Sequence, residues 1–215
     1  MEPRLTDLQT CAVSPNAPLV IVDVDEVLAQ FMLGFGAFIA RYGFELRVDR
    51  FALFQNIYRP GESEHLDLIA GKALFDDFFR DGAEDLPPAM GAADALADLS
   101  TRAEVVILTN APEHGRLARA QWLKTHGFDY PLIINTGPKG PAAAELAART
   151  SGSAVFIDDL LPQLESVAER APTVGRFQMV SDERLRPLAP SAPDRHVRID
   201  EWPLLKKAIE ERLFA

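Results

Sequence analysis

Four apolar runs punctuate the chain, and each stops abruptly on polar residues. Leu19 to Val22 runs into Asp23-Val24-Asp25, and Val105 to Leu108 into Thr109-Asn110. Leu132 to Ile134 meets Asn135-Thr136, and Ala154 to Ile157 meets Asp158-Asp159. Short continuous runs rich in β-branched residues suit strands buried on both faces of a parallel sheet. Helical stretches lie between them: Ala92 to Leu99 after Pro87-Pro88, Arg116 to His126 before Gly127, and Ala142 to Thr150 after Pro141. Proline in the first turn and glycine just past the end are the expected boundary residues. The alternation predicts an α/β fold, a doubly wound (Rossmann-like) parallel sheet flanked by helices. A weaker run, Thr173 to Val180, extends the sheet, and His196 to Ile199 adds a short edge strand. Trp202, Leu205, Ile209 and Leu213 share one face of a terminal helix. Residues 184–195, with three prolines, read as a surface loop.

One interval breaks the pattern. Between Leu28 and Pro87 no buried strand is evident, yet aromatic residues crowd the stretch, and Phe31, Phe35, Phe38 and Tyr42 recur at helical spacing. This predicts a small helical insertion over 31–86 with its own aromatic core, broken near Pro60-Gly61 and Asp81-Gly82. The chain then divides into a loosely held arm over 1–18, an α/β core over 19–30 and 87–215, and the insertion between the two parts of the core.

The 215 residues, 47% of them hydrophobic, suffice for one domain carrying an insertion. A net charge of −10 argues against a nucleic-acid polymer or an anionic membrane as partner. A small anionic substrate stays compatible, because a metal and a few local cations reverse the potential inside a cleft. The single cysteine, Cys11, excludes an intrachain disulfide and reads as inert. No run reaches the ~20 apolar residues of a membrane span, and residues 1–18 lack the pattern of a signal peptide, so a cytoplasmic location is expected. Association into a homodimer is left open.

Ligands of parallel sheets gather at the carboxyl ends of the strands, where these polar residues stand. Asp23 and Asp25 converge there, and two carboxylates with oxygen-only ligation favour Mg²⁺. Thr109, Asn110, Asp158 and Asp159 belong to the same rim. Lys139 precedes the helix opened by Pro141, at the end where the helix dipole attracts anions. Acids, a hydroxyl and an ammonium on one rim are what phosphoryl transfer onto a carboxylate needs. Singly, each has a structural reading: a strand cap, a β-forming threonine, a solvated lysine.

Taken in order, the residues resemble the motifs of the haloacid dehalogenase-like (HAD) superfamily. Asp23-Val24-Asp25-Glu26-Val27-Leu28 is similar to its first motif, Thr109 to its second, Lys139 in Gly-Pro-Lys-Gly-Pro to its third, and Asp158-Asp159 to its fourth. The resemblance implies that Asp23 is a nucleophile forming an aspartyl-phosphate and binding Mg²⁺, and that Asp25 is the general acid and base, its backbone carbonyl a second metal ligand. It further implies that Thr109 and Lys139 contact the phosphoryl oxygens, Asn110 lies beside the substrate, and Asp159 and Asp158 complete the metal site. An acid at position 25 points to a phosphatase rather than a dehalogenase, since a departing halide needs no proton. Two departures stand out: Gln163 where a second acid is common, and Glu26 where many members carry glycine.

The insertion occupies the place of the family's C1 cap, which implies a small phosphorylated substrate. A looser likeness to the 5'(3')-deoxyribonucleotidase branch suggests a nucleoside monophosphate. Arg59, Lys72 and Arg80 are candidate leaving-group contacts, Phe54 and Tyr58 stacking partners, and His114 a residue at the entrance; nothing places His65. The alternative is a non-catalytic HAD-like module or a receiver-like phospho-acceptor. Receiver domains, however, place the phosphorylated aspartate on a later strand and have no inserted cap.

Overall fold

In the computed structural model, which describes residues 4–214, all four apolar runs are strands of one six-stranded sheet. The strands are β1 (Leu19–Val22), β4 (Glu104–Thr109), β5 (Leu132–Ile134), β6 (Ala154–Asp158), β7 (Gly175–Gln178) and β8 (Val197–Arg198), in the order β5-β4-β1-β6-β7-β8. Every pairing is parallel. β1 is central, hydrogen-bonded to β4 on one side and β6 on the other, so the chain's excursions diverge at its carboxyl end. That divergence is the switch point where open α/β sheets bind ligands.

The two-residue alternation of each strand feeds two separate cores. Val20, Val22, Val105, Ile107, Val155 and Ile157 face one core, shared with helices α3 (Ala92–Leu99), α4 (Arg116–Thr125) and α7 (Trp202–Phe214). Leu19, Ile21, Val106, Leu108 and Phe156 face the other, covered by α5 (Gly140–Ala147) and α6 (Leu161–Arg170). On α7, Trp202, Leu205, Ile209 and Leu213 are the buried positions, as their spacing predicts.

Residues 31–86 hold α1 (Phe31–Ala40), α2 (Leu68–Asp81) and a two-stranded antiparallel sheet, β2 (Glu45–Leu46) with β3 (Ile57–Tyr58). Strands of two residues are too short to show a period, which is why sequence inspection misses them. The aromatics do cluster: the Phe78 ring meets Phe31, Phe35 and Phe38 edge-on, with centroids 5.3 to 5.5 Å apart. They do not form a core of their own, however. Phe31, Phe35 and Phe78 belong to the same continuous apolar cluster as Val20 and Val22 of the sheet. Tyr42 lies past the end of α1 and is 54% exposed.

The loosely held arm is a second difference. Within residues 4–18, the Arg4 carbonyl and the Thr6 N–H bond the backbone of Leu132 at 2.9 and 3.0 Å, extending the β5 edge, and Cys11 is buried in the second core. Residues 1–3 of the expected arm lie outside the described residues. Among the described residues, no helix is long and apolar enough to cross a membrane.

Candidate active site

β1 ends at Val22, and the site begins with the next residue. The Asp23 N–H donates to the Ile157 carbonyl at 3.0 Å, continuing the ladder by one bond and fixing Asp23 at the sheet edge. The chain then turns sharply, with the N–H groups of Val27, Leu28 and Ala29 all donating to the Val24 carbonyl. Glu26 takes φ +58° in this turn, the one non-glycine with positive φ among the described residues. An L-residue enters that region at a cost of about 1–2 kcal/mol, so the glycine common at this position has a steric reason. Here the side chain offsets the strain. Glu26 Oε1 accepts from the Met32 N–H at 2.7 Å, and Oε2 accepts from the Ser181 hydroxyl and the Asp182 N–H at 3.0 Å each. Glu26 therefore ties the turn to the start of α1 and to the loop after β7. Burial, against the pull of those bonds, pushes its carboxyl up to about 7.

Two strands and one helix end converge beside Asp23. Asp158 closes β6, Asp159 follows it, Thr109 closes β4, and Lys139 directly precedes α5. Carboxylate oxygens of Asp23, Asp158 and Asp159 lie within 4.8 Å of one another, and all three residues are buried. Lys139, 2% exposed, places Nζ 2.6 Å from Asp23 Oδ1 and 2.7 Å from Asp158 Oδ2. Burial alone would lower the Lys139 pKa, but the two carboxylates reverse that and hold the ammonium above its usual range. Asp158 uses both oxygens, since Oδ1 also accepts from the Leu160 N–H at 2.9 Å. Asp159 opens onto the pocket and Asp158 does not. Burial, then repulsion from Asp158 and Asp23, raises Asp159 well above the usual carboxylate range; burial likewise raises Asp158, with Lys139 opposing. Thr109 Oγ1 is buried without a hydrogen-bond partner, while Asp23 Oδ1 is held by the Lys139 ammonium. Crowded buried carboxylates of this kind fit a small, hard divalent cation.

The Lys139 backbone is also held. Its N–H donates to Gln163 Oε1 at 2.8 Å, and the Gly140 N–H donates to Ser166 Oγ at 3.1 Å, so α6 side chains cap the start of α5. Gln163 thus serves the lysine segment and also lines the pocket.

Asp25 also lines the pocket, and its carboxylate pairs with a residue that sequence inspection missed. Arg119, on α4 and 0% exposed, brings Nη2 within 2.6 Å of Asp25 Oδ1. Its guanidinium lies 5.1 Å from the Phe79 ring centroid. Burial raises the Asp25 carboxyl above its ordinary value, Arg119 pulls it down, and Asp23 adds to the rise.

Above these groups lies a cavity of about 230 Å³, bounded by the rim and by the 31–86 segment. No family model matches the chain, and no curated protein does. Solved structures do. One described as a β-phosphoglucomutase of Thermotoga maritima shares 16% identity over 91% of this chain and 100% of its own, with a TM-score of 0.60. The chain has the fold of the haloacid dehalogenase-like hydrolases. A haloacid dehalogenase-like family hydrolase of Streptococcus pneumoniae covers 89% of this chain and 98% of its own at 15% identity, with a TM-score of 0.56. A HAD-hydrolase of Bacillus subtilis, solved bound to magnesium, aligns over 90% and 99% at 14% identity, again with a TM-score of 0.56. These likenesses carry the HAD-like fold and do not extend to the deoxyribonucleotidase branch.

On this HAD-like frame, Asp23, Asp25, Thr109, Asn110, Lys139 and Asp159 all line one pocket, and Asp158 stands directly behind Lys139. Asn110 donates to the Gly137 carbonyl at 2.9 Å and accepts from Asn135 at 2.8 Å, so its amide braces the loop leading to Lys139. Arg59 is not brought in. It is exposed, with its guanidinium 5.4 Å from the Phe44 ring centroid. Lys72 and Arg80 are exposed as well, Arg80 on Asp77, and His65 and His114 lie outside the pocket wall. Phe54 and Tyr58 do not line the cavity; Phe31, Phe51 and Phe75 do.

Proposed function

We propose that the protein is a Mg²⁺-dependent phosphomonoester hydrolase working through an aspartyl-phosphate on Asp23. One observation carries this reading: buried Asp23, Lys139, Asp158, Asp159 and the unbonded Thr109 hydroxyl meet at the carboxyl edge of the sheet, beneath a small cavity. Asp23, Asp159 and the Asp25 backbone carbonyl would hold the cation, which supplies Lewis-acid neutralisation of the phosphoryl charge. Asp158, its two oxygens already engaged, orients Lys139.

An Asp23 carboxylate oxygen attacks phosphorus, and the bond from phosphorus to the ester oxygen breaks. That oxygen leaves with a proton from the Asp25 carboxyl. Lys139 Nζ and Thr109 Oγ1 donate to the phosphoryl oxygens as charge spreads over them. Asp25, now a carboxylate, takes a proton from the water that attacks phosphorus, and the Asp23 oxygen is released with free phosphate. The α1 and α2 side of the cavity serves as a cap that keeps bulk water from this exchange. Asp23→Asn is expected to abolish phosphate release in Mg²⁺ while the fold persists by circular dichroism; sustained turnover by that variant would overturn the assignment.

A further inference from the structure

The cavity wall facing the carboxylates carries no charge. Phe31 and Met32 of α1, Phe51 and Leu53 from the loop before β3, Phe75 of α2 and Leu185 after β7 form it. None of the segment's cations lines the cavity: Arg41 pairs with Asp85, Arg47 with Glu45 and Arg80 with Asp77, Arg59 lies against Phe44, and Arg50 and Lys72 are exposed. Among the described residues that line the cavity, Lys139 is the one cation, and it is committed to Asp23 and Asp158.

Most of the polar groups outside the phosphoryl set are engaged too. The Glu26 carboxylate is buried and accepts from Met32, Ser181 and Asp182, so both oxygens are engaged. The Asn110 amide is bonded to Gly137 and Asn135, and Gln163 Oε1 to the Lys139 N–H, so the Gln163 Nε2 group, on the Lys139 side, is the donor left over. A hydroxyl, carboxylate or amine set against Phe31, Phe51 and Phe75 would give up its water without a replacement partner. The cavity, about 230 Å³, is also smaller than the ~300–1,000 Å³ of pockets for drug-sized ligands.

Resting on the phosphatase reading above, we propose that the group leaving with the ester oxygen is a small uncharged hydrocarbon. The substrate class is then an alkyl or arylalkyl monophosphate, rather than a nucleotide, a sugar phosphate, or a phosphorylated acid or amine. The phosphoryl group sits on the rim, and the hydrocarbon fills the space between Phe31, Phe51 and Phe75. Discrimination of roughly 10- to 100-fold for each misplaced hydroxyl or missing apolar contact is the usual reach of such a pocket.

The test compares primary alkyl phosphates, whose leaving oxygens are chemically alike: benzyl and 3-methylbutyl phosphate against glucose 6-phosphate, glycerol 3-phosphate, adenosine 5'-monophosphate, phosphoserine and phosphocholine, all with Mg²⁺. The two hydrocarbon esters are expected to lead by roughly 100-fold in kcat/KM. In parallel, calorimetry compares benzylphosphonate with methylphosphonate, neither of which turns over. The benzyl compound is expected to bind about tenfold tighter, an advantage that Phe51→Ala reduces while methylphosphonate affinity stays unchanged. Hydrolysis that is fastest with a nucleotide, sugar, acid or amine, or equal across the panel, overturns this inference and leaves the phosphatase standing. No hydrolysis of any ester, with benzylphosphonate still preferred, overturns the phosphatase and keeps the apolar pocket. No hydrolysis and no preference overturns both.

Discussion

Arg119 reaches Asp25 from the middle of α4, and its Nε and Nη1 are buried without partners. Removing one member of such a buried pair strands the other, at a typical cost of several kcal/mol. Arg119→Met, which keeps apolar volume beside Phe79 but leaves Asp25 unpaired, is therefore expected to lower stability by about 3 kcal/mol in denaturant titration. The double variant R119M/D25N should be less destabilised than the sum of the singles, because no charge is left unpaired; strict additivity would deny the coupling. Asp23, Asp25, Thr109, Lys139 and the Asp158-Asp159 pair were legible because each stands where an apolar run stops or a proline-opened helix starts. Arg119 was not. A charged residue within a helix ordinarily reads as solvated, and its partner lies 94 positions away in the chain.

At the scale of elements, the site depends on how closely α5 and α6 approach. Helix propensity alone favours Gly140→Ala by about 1 kcal/mol. Packing opposes it, because a Cβ at Gly140 would lie 2.1 Å from the Ser166 carbonyl oxygen, which is backbone and cannot swing aside. The clash outweighs propensity, and Gly140→Ala is expected to destabilise by about 3 kcal/mol and to displace Lys139 from Asp23. Thermal unfolding and phosphate release check this; a variant as stable and active as the parent would show that the helices part freely. Neither α6 nor this contact was read from the sequence. The helix follows Asp158-Asp159 almost directly, with no loop to set it apart, although Leu164 and Val167 do mark one apolar face. The strands were plain for the opposite reason: burial on both faces leaves an unbroken apolar run.

The whole molecule couples protons to the site's charge. Glu26 rises from 4.5 to about 7 on folding, and Asp25, Asp158 and Asp159 also rise, chiefly through burial. A carboxyl whose pKa is higher folded than unfolded binds its proton more tightly in the native state. Its contribution is present below the unfolded value and is lost as pH climbs through the folded one. Asp182, lowered by its Arg184 partner, acts in the opposite sense, but its window lies below its ordinary 3.8. The metal-free protein should therefore lose stability from about pH 4.5 to about 7, and the net charge of −10 adds self-repulsion in the same direction. A divalent cation held by Asp23 and Asp159 needs both ionised, so it competes with protons and binds better as pH rises. At a free Mg²⁺ concentration 100 times its Kd the stabilisation is about 2.7 kcal/mol. Melting curves in Mg²⁺ and in EDTA, at about pH 5.5 and 7.5, should show a metal-dependent rise in Tm that is small at the lower pH and several degrees at the higher. An equal shift at both values would separate the cation from these carboxylates, and no shift at either would remove it from the site.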